Sequence, residues 1–182
     1  MGLRRFQDKY LKYKQVENPF VLYEKYSRRD VSLLMNCEKD LSSIMYGMKR
    51  IDDDVFVFVT YHKGSAEAKN YLDGKPDYAD EFEDNMIFRW DSQIGRGIDS
   101  SYVMDVIEAK HKHLLVKKSD AEAAFYYMGE FDIINVKAGN KKDNNGKTRD
   151  ITKFEMKMHH AVRDDILRYL QSNIEKEEVK AV

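Results

Sequence analysis

The stretch of the chain from Val55 to Trp90 combines aromatic rings, carboxylates and cations, the groups needed to hold a flat polar ring such as a nucleobase. An apolar run, VFVFV, leads into Thr60-Tyr61-His62-Lys63, and the segments YADEF and FRW follow before residue 91. Aromatic faces can stack on a base, and a carboxylate such as Asp80 can accept a hydrogen bond from an exocyclic amine. The same residue types also build an ordinary strand and loop, so the rest of the chain must decide between these interpretations.

Cations and aromatic residues also stand near the ends of predicted elements, where long side chains and backbone N–H groups can meet phosphates. The candidates for contacts with a phosphate backbone are Arg28, Arg29, Lys49, His62, Lys63 and Arg96. The candidates for contacts with a base are Tyr46, Thr60, Tyr61, Tyr78, Asp80 and Trp90. Most aromatic residues of a domain belong to its core, so either set also fits a simple structural role.

A second chemistry is suggested by Glu108 and Lys110, which, with Asp91 or Asp99 upstream, satisfy the bare acidic pattern of metal-dependent nucleases. In such nucleases the E-x-K motif lies on a strand. Here it falls at the end of a predicted helix, which favours a solvated helix terminus.

Histidine and cysteine are sparse. His111 and His113 can share one side only if their segment is extended, and no further Cys or His stands beside them. We therefore predict no catalytic residue, no metal site and no cofactor.

Composition limits the class of protein. The 182 residues suffice for one domain with its own core, and 31 basic against 32 acidic residues exclude a uniformly basic coat. A single cysteine, Cys37, excludes an internal disulfide framework and favours a reducing, cytoplasmic compartment. No apolar run reaches the length of a membrane span, so no membrane contact is expected.

Helical patterns are short and scattered along the chain. A helix is predicted over residues 3–15, and another begins at Ser27 as N-cap, with Asp30 in its first turn, and ends near residue 36. Ser100 and Ser101 precede a helix whose inner face would hold Val103, Met104, Val106 and Ile107. A last helix is predicted over residues 162–174.

Strand patterns fill most of the remaining chain. Extended segments are predicted over residues 21–23, 44–49, 55–61, 86–90, 114–116 and 124–136, and a hairpin tip at Asn145-Gly146 leads into a strand over 151–158. Six or seven strands without a βαβ rhythm predict an α+β domain with a curved antiparallel sheet or barrel and flanking helices. We divide the chain into a helical linker or preface over 1–18, one domain over 19–176 and a charged tail over 177–182.

Several motifs, in their order along the chain, resemble a domain found at the C-terminus of bacterial restriction proteins that join a phospholipase D-like nuclease to a superfamily 2 helicase. The resemblance covers about residues 20–170. It is carried by LYEKYSRRDV, NCEKD, Tyr46-Gly47, FVTYHK, YADEF, FRW, VKKSD and FYYMGE.

This resemblance implies a fold similar to SRA domains, the methylcytosine-binding members of the PUA-like superfamily, and a role in type IV, modification-dependent restriction and phage defence. It implies binding to double-stranded DNA that carries 5-methylcytosine or 5-hydroxymethylcytosine, with the modified base flipped into a pocket. Nuclease and helicase modules are then expected in the same chain or in a partner chain.

Within that hypothesis Tyr61 and Trp90 are the first candidates for stacking, and Tyr46 and Tyr78 the second. Asp80 would bind the cytosine edge, and Thr60 would line the methyl side. Two other function classes stay open on the sequence: a metal-dependent nuclease that uses Glu108 and Lys110, and a protein-interaction domain whose aromatic residues are all core.

Overall fold

The computed structural model describes residues 18–62, 80–143 and 145–172, which form an α+β domain, as predicted. These residues contain eight strands, three α-helices and one short 3-10 helix. The strands are β1 (Lys25–Tyr26), β2 (Met48–Ile51), β3 (Asp54–His62), β4 (Glu81–Phe82), β5 (Ile87–Asp91), β6 (His111–Ser119), β7 (Phe125–Lys142) and β8 (Thr148–Met158). The α-helices are α1 (Arg28–Leu34), α2 (Ser101–Glu108) and α3 (Asp164–Gln171). The predicted helix over residues 3–15 lies outside the described residues.

The strands form one sheet in the order β2-β3-β6-β7-β8-β5-β4, and β1 pairs separately with β7. Six of the seven strand pairs are antiparallel, as expected, whereas β3 and β6 are parallel from Asp54 beside His111 to His62 beside Ser119. A parallel pair needs a crossover connection. Here the connection contains β4, β5 and α2, so the sequence shows no βαβ rhythm that would predict it.

Strand β7 changes its partners along its length, from β6 and β1 near its start to β8 beyond, and this change curves the sheet. Its first residues pair with β6 and its later residues pair with β8. The register shifts between Leu114 and Leu115 of β6, opposite Gly129, which has a φ of +101°. A bulge of this kind bends a strand and increases its twist. The two halves of β7 therefore belong to differently oriented parts of the sheet.

Both faces of β3 are buried, which explains its unbroken apolar run. Val55, Val57 and Val59 face one core, which α2 and α3 cover with Val103, Val106, Ile166 and Leu170. Phe56 and Phe58 face a second core, which α1 covers with Val31. Side chains of a strand alternate between its faces, so the two cores lie on opposite sides of the sheet.

The start of α1 confirms the predicted N-cap. The Asp30 backbone N–H donates to Ser27 Oγ at 3.1 Å, and the Ser27 backbone N–H donates to Asp30 Oδ2 at 2.8 Å. This reciprocal capping box satisfies two backbone groups that the helix leaves without intrahelical partners. The hydrogen bonds to Asp30 lower the pKa of its carboxyl group.

Three details of the predicted elements are wrong. The segment over 21–23 is a turn, because Tyr23 adopts a φ of +67°, and pairing starts at Lys25. The strand predicted from residue 44 starts at Met48, because Ser42–Ile44 is a 3-10 helix and Gly47 has a φ of +71°. Helix α2 turns only a narrow stripe toward the first core, so it buries Val103 and Val106, three positions apart, and leaves Met104 and Ile107 exposed.

The last helix and the hairpin follow the prediction. Helix α3 buries Ile166 and Leu170, although the predicted Ile174 lies outside the described residues. Gly146, with a φ of +75°, lies in the turn between β7 and β8. In the described ranges no helix combines the length and apolar character needed to cross a membrane.

Candidate nucleic-acid interface

The loop over residues 92–97 is fastened to β8, and this fixes the position of Arg96. The Ser92 backbone N–H donates to the Thr152 carbonyl at 2.8 Å, and the Thr152 backbone N–H donates to Ser92 Oγ at 2.8 Å. The Arg96 carbonyl accepts from Ser92 Oγ at 2.8 Å and from Thr152 Oγ1 at 3.1 Å. Ser92 and Thr152 are both buried. Arg96 is thus an exposed cation on a rigid support.

A stack of side chains extends inward from Arg96. Its guanidinium carbon lies 5.3 Å from the ring centroid of Tyr102, at the start of α2. The Tyr102 ring lies 6.5 Å from Trp90 with 30° between the planes, and Trp90 packs 5.1 Å from Phe154. Trp90 is only 3% exposed. The stack joins the surface to the first core.

The Tyr102 hydroxyl has an unusual environment. Its oxygen is buried and has no hydrogen-bond partner among the residues that the structure describes. Burial raises the Tyr102 pKa, the Arg96 charge acts in the opposite direction, and the Asp80 charge adds to the increase. A buried polar group without a partner costs free energy. The hydroxyl is therefore a buried donor that no described residue satisfies.

Gly47 and Gln93 lie near this hydroxyl. A Cβ atom at Gly47 would lie 2.8 Å from Tyr102 Oη and 3.0 Å from Gln93 Nε2. The Gln93 amide donates to the Tyr46 carbonyl at 3.0 Å, and Gln93 is itself exposed. Gln93 thus lies on the surface beside Gly47, near the Tyr102 hydroxyl.

Asp80 lies close enough to Tyr102 for its charge to affect the Tyr102 pKa. It is 6% exposed, and its Oδ1 accepts a hydrogen bond from the Asp91 backbone N–H at 2.9 Å. Asp80 thus brings a negative charge and a hydrogen-bond acceptor close to Tyr102.

Tyr46 provides an accessible aromatic face beside this cluster. Its side chain is 63% exposed, and the guanidinium carbon of Arg28 lies 5.9 Å from its ring centroid. Arg28 also lies over Phe58 at 5.7 Å and Phe125 at 5.2 Å. Its Nε is buried and without a hydrogen-bond partner among the described residues. The dipeptide Tyr46-Gly47 thus links the Arg28 group to the Arg96–Tyr102–Trp90 stack.

Tyr61 and His62 hold α3 against the sheet. Tyr61 is 9% exposed, burial raises its pKa, and its hydroxyl lies near the Phe82 backbone and the Gln171 side chain of α3. His62 Nε2 lies 2.8 Å from the Leu170 carbonyl. Thr60 precedes Tyr61 in β3, so its side chain points to the opposite face of the sheet. Thr60 and Tyr61 therefore do not line one cavity.

The other predicted contact residues are dispersed. Arg29 is exposed and lies 3.8 Å from Asp40 Oδ2, and Lys49 is a half-buried residue of the edge strand β2. Lys63 and Tyr78 lie outside the described residues. Of the twelve predicted site residues, the structure brings Asp80, Trp90 and Arg96 together around Tyr102, and places Arg28 and Tyr46 next to them.

The two residues of the nuclease hypothesis are engaged in ion pairs. Glu108 Oε2 lies 3.6 Å from Arg50 Nη1, and Lys110 Nζ lies 2.6 Å from Asp53 Oδ2. Glu108 is the last residue of α2, as the sequence predicted. In the described ranges no three His, Cys, Asp or Glu side chains are grouped to hold a metal ion.

His113 belongs to a buried hydrogen-bond network in the second core. Its Nε2 lies 2.7 Å from Asp54 Oδ1 and its Nδ1 lies 2.9 Å from Tyr127 Oη. An ionised carboxylate can only accept, so Nε2 carries the proton and Nδ1 accepts from the Tyr127 hydroxyl. Asn18 Nδ2 donates to Tyr127 Oη at 2.9 Å, which completes the network.

Two residues of the cluster escape sequence analysis, Tyr102 and Gln93. Tyr102 follows two serines at a helix start, where an aromatic residue has no distinctive pattern. Gln93 is a polar loop residue. Tyr102 and Gln93 become candidates only because they lie close to Gly47 in the structure. In the sequence, the Tyr46-Gly47 motif is the one feature that points to this position.

Comparisons with known proteins give a family and several distant structures. The sequence model of a domain of unknown function, DUF3427, matches residues 20–170. No curated protein matches the chain significantly.

The chain is similar to three solved structures, each at 10% identity. One contains the sulfur binding domain and SRA domain of ScoMcrA complexed with phosphorothioated DNA, with a TM-score of 0.44 over 84% of this chain and 45% of that one. Another is Arabidopsis thaliana SUVH6 in complex with SAM, with a TM-score of 0.45 and coverages of 91% and 32%. The third is KRYPTONITE in complex with mCHG DNA and SAH, with a TM-score of 0.41 and coverages of 90% and 40%. The chain thus spans less than half of each of these chains, and all three TM-scores lie below 0.5.

Proposed function

We propose that this chain, which belongs to the DUF3427 family, is a DNA-binding module that recognises modified cytosine in duplex DNA. The observation that carries the proposal is the position of Tyr46. Its exposed ring lies beside the Arg28 guanidinium, and the next residue, Gly47, lies near the Tyr102 hydroxyl. An accessible aromatic face, two nearby guanidinium groups and a buried donor beside a carboxylate are the groups that a base and its phosphates require.

In this proposal the modified base leaves the duplex stack and enters beside Tyr102. Tyr46 stacks on the base, the Tyr102 hydroxyl donates to an acceptor on its edge, and Asp80 accepts from the N4 amine. Arg28 and Arg96 bind the flanking phosphates. Unstacking costs a few kcal/mol, and stacking contributes about 1–3 kcal/mol per base, so the hydrogen bonds are needed for net binding.

Trp90 forms the apolar wall of this site in the proposal, because its buried ring stacks on Tyr102. Tyr61, which lies against α3, does not line the site. A methyl group contributes on the order of 1 kcal/mol when buried. A close-fitting wall can raise the preference for one extra methyl group to roughly 10–200-fold. We expect the preference of this chain for modified cytosine to fall in that range.

We further propose that the module is the sensor of a modification-dependent restriction system, with nuclease and helicase activities in the same chain or a partner. The support is the order of sequence motifs over residues 20–170. On this hypothesis the described residues bind and do not cleave, and the domain spans residues 19–176.

Equilibrium binding to matched duplexes tests the proposal. Duplexes that differ only in one cytosine, unmodified, 5-methylated or 5-hydroxymethylated, are titrated first in EDTA and then in Mg²⁺. We expect tighter binding to one modified duplex in both buffers and intact DNA afterwards. Cleavage that requires Mg²⁺ would favour the nuclease hypothesis, and absence of binding to all duplexes would favour a protein-interaction domain.

A further inference from the structure

The hairpin of β7 and β8 continues beyond the sheet as a two-stranded basic ribbon. Strand β6 pairs with β7 only as far as Glu130, and β5 pairs with β8 only as far as Lys153. In the described residues β7 and β8 then pair as strands only with each other, from the Lys137–Lys153 pair, which borders the end of β5, to Lys142 beside Thr148. Six residues at strand spacing extend over roughly 20 Å.

The ribbon concentrates positive charge in a chain that is otherwise balanced. Residues 136–154 contain six cations and two acids, whereas the whole chain has a formal net charge of −1. The cations are Lys137, Lys141, Lys142, Lys147, Arg149 and Lys153, and all six are exposed. Arg149 forms an ion pair with Asp143 at 3.1 Å, and in the part of the chain that the structure describes the five lysines form none.

The register places like charges directly opposite each other. Lys137 pairs with Lys153, and Lys141 pairs with Arg149, so four cations share one face of the ribbon. Directly opposite like charges destabilise a strand pair. The stem of Lys153 crosses the ribbon, with its Cε 3.1 Å from the position of a Cβ at Gly139. This face has the charge pattern expected of a surface that binds a polyanion.

The ribbon is connected to the candidate interface. The Gly95 backbone N–H donates to the Asp150 carbonyl at 2.8 Å, and Thr152 binds the Arg96 carbonyl. Arg149 and Lys153 of the ribbon belong to β8, and the loop that carries the exposed Arg96 is attached to this same strand.

We propose that this ribbon, on the face of Lys137, Lys141, Arg149 and Lys153, binds the phosphate backbone of duplex DNA outside the modified base. This inference rests on the proposed function and adds a second contact surface to it. A two-stranded ribbon fits the major groove, where its basic side chains meet phosphates on either side. Contacts of this kind add affinity for every sequence and do not distinguish modified from unmodified cytosine.

The test compares two triple variants of the whole chain. Lys137→Gln/Lys141→Gln/Lys153→Gln removes three charges, and the matched control, Lys137→Arg/Lys141→Arg/Lys153→Arg, keeps them. Arg149 is left in place because it braces the turn through Asp143. Affinities for unmodified and modified duplexes are measured from low to high salt.

We expect the glutamine variant to have a shallower dependence of log K on log salt, by about 0.9 for each lysine that contacts a phosphate. Its affinities for both duplexes should fall by the same factor, while the arginine variant keeps the wild-type slope. The thermal midpoint of the glutamine variant should not fall, since two like-charge pairs are removed.

An unchanged salt dependence in the glutamine variant would overturn the ribbon contact even if the preference for modified DNA persists. Equal affinities for the two duplexes with a slope that depends on the lysines would instead contradict the proposed function and retain the ribbon.

Discussion

A Cβ atom at Gly47 would lie 2.8 Å from the hydroxyl oxygen of Tyr102. Gly47 also adopts a φ of +71°, a conformation that favours glycine, and its carbonyl accepts from the Phe58 backbone N–H at 2.8 Å. This contact brings the turn before β2 against the start of α2. Tyr46, whose side chain is 63% exposed, immediately precedes this contact in the chain.

The first prediction concerns Gly47→Ala. The left-handed conformation alone should cost about 1–3 kcal/mol of unfolding free energy, and the contact with Tyr102 adds to it. Gly95→Ala is the matched control, because Gly95 has a φ of +85° with nothing within 4 Å. Chemical denaturation should show a larger loss for Gly47→Ala, and Tyr102→Phe in that background should reduce the difference. Equal losses at the two glycines would contradict the close contact.

The second prediction concerns Tyr102→Phe in the wild-type background. Removing a buried hydroxyl without a partner should leave the unfolding free energy unchanged or raise it. Affinity for modified DNA should fall about 2- to 10-fold, which corresponds to one lost hydrogen bond of about 0.5–1.5 kcal/mol.

Tyr169→Phe is the control for this change, since the Tyr169 hydroxyl donates to Glu122 at 2.7 Å, a bond that raises the Tyr169 pKa to about 12. The control should lose stability and keep its affinity for DNA. Loss of stability in Tyr102→Phe, with unchanged binding, would show that the hydroxyl serves only the fold.

Local patterns in the sequence predicted the elements better than the contacts between them. The capping box of Ser27 and Asp30 and the hairpin at Asn145-Gly146 depend on a few neighbouring residues, and both are found. The parallel pairing of β3 with β6 joins residues more than fifty positions apart, and nothing local encodes it.

The candidate site shows the same limit for a different reason. Strand alternation marks Tyr61 and Trp90 as inward-facing but cannot distinguish a core from a pocket wall, and in the structure both are buried. The sequence makes Tyr46 only a second candidate for stacking, yet among the described candidates Tyr46 has an exposed ring while Tyr61 and Trp90 are buried. Tyr102 was missed because its role arises from a contact across the fold.

The third prediction concerns pH and the buried His113. Burial lowers the His113 pKa, while in the unfolded chain the imidazole binds a proton near pH 6.5. The unfolded state therefore binds more protons below that pH, so this contribution to stability is present above about pH 6.5 and is lost as the pH falls toward the folded-state pKa.

His113→Gln should flatten the dependence of unfolding free energy on pH between about 5 and 7. His160→Gln is the control, because His160 is exposed. Denaturation at a series of pH values measures both variants. An unchanged pH dependence in His113→Gln would contradict a neutral buried imidazole, and the Asp54, Glu130 and His111 side chains near it would then have to account for the curve.

The fourth prediction concerns Tyr46. Because its side chain is 63% exposed, Tyr46→Ala should change the unfolding free energy by no more than about 0.5 kcal/mol. Its affinity for modified DNA should fall by the roughly 1–3 kcal/mol typical of a lost stacking contact. Tyr46→Phe keeps the ring and should keep most of the affinity. If both variants bind modified DNA with the wild-type affinity, Tyr46 does not stack on the base.

The most direct test of the proposed site uses Trp90, the single tryptophan of the chain. Its ring stacks on Tyr102, so a base that enters beside Tyr102 must alter Trp90 emission. Emission is followed while the protein is saturated with modified or unmodified duplex, and anisotropy of labelled DNA confirms equal occupancy. We predict a saturable change with the modified duplex and little or none with the unmodified one. Identical emission with the two duplexes at equal occupancy would contradict recognition of modified cytosine at this cluster.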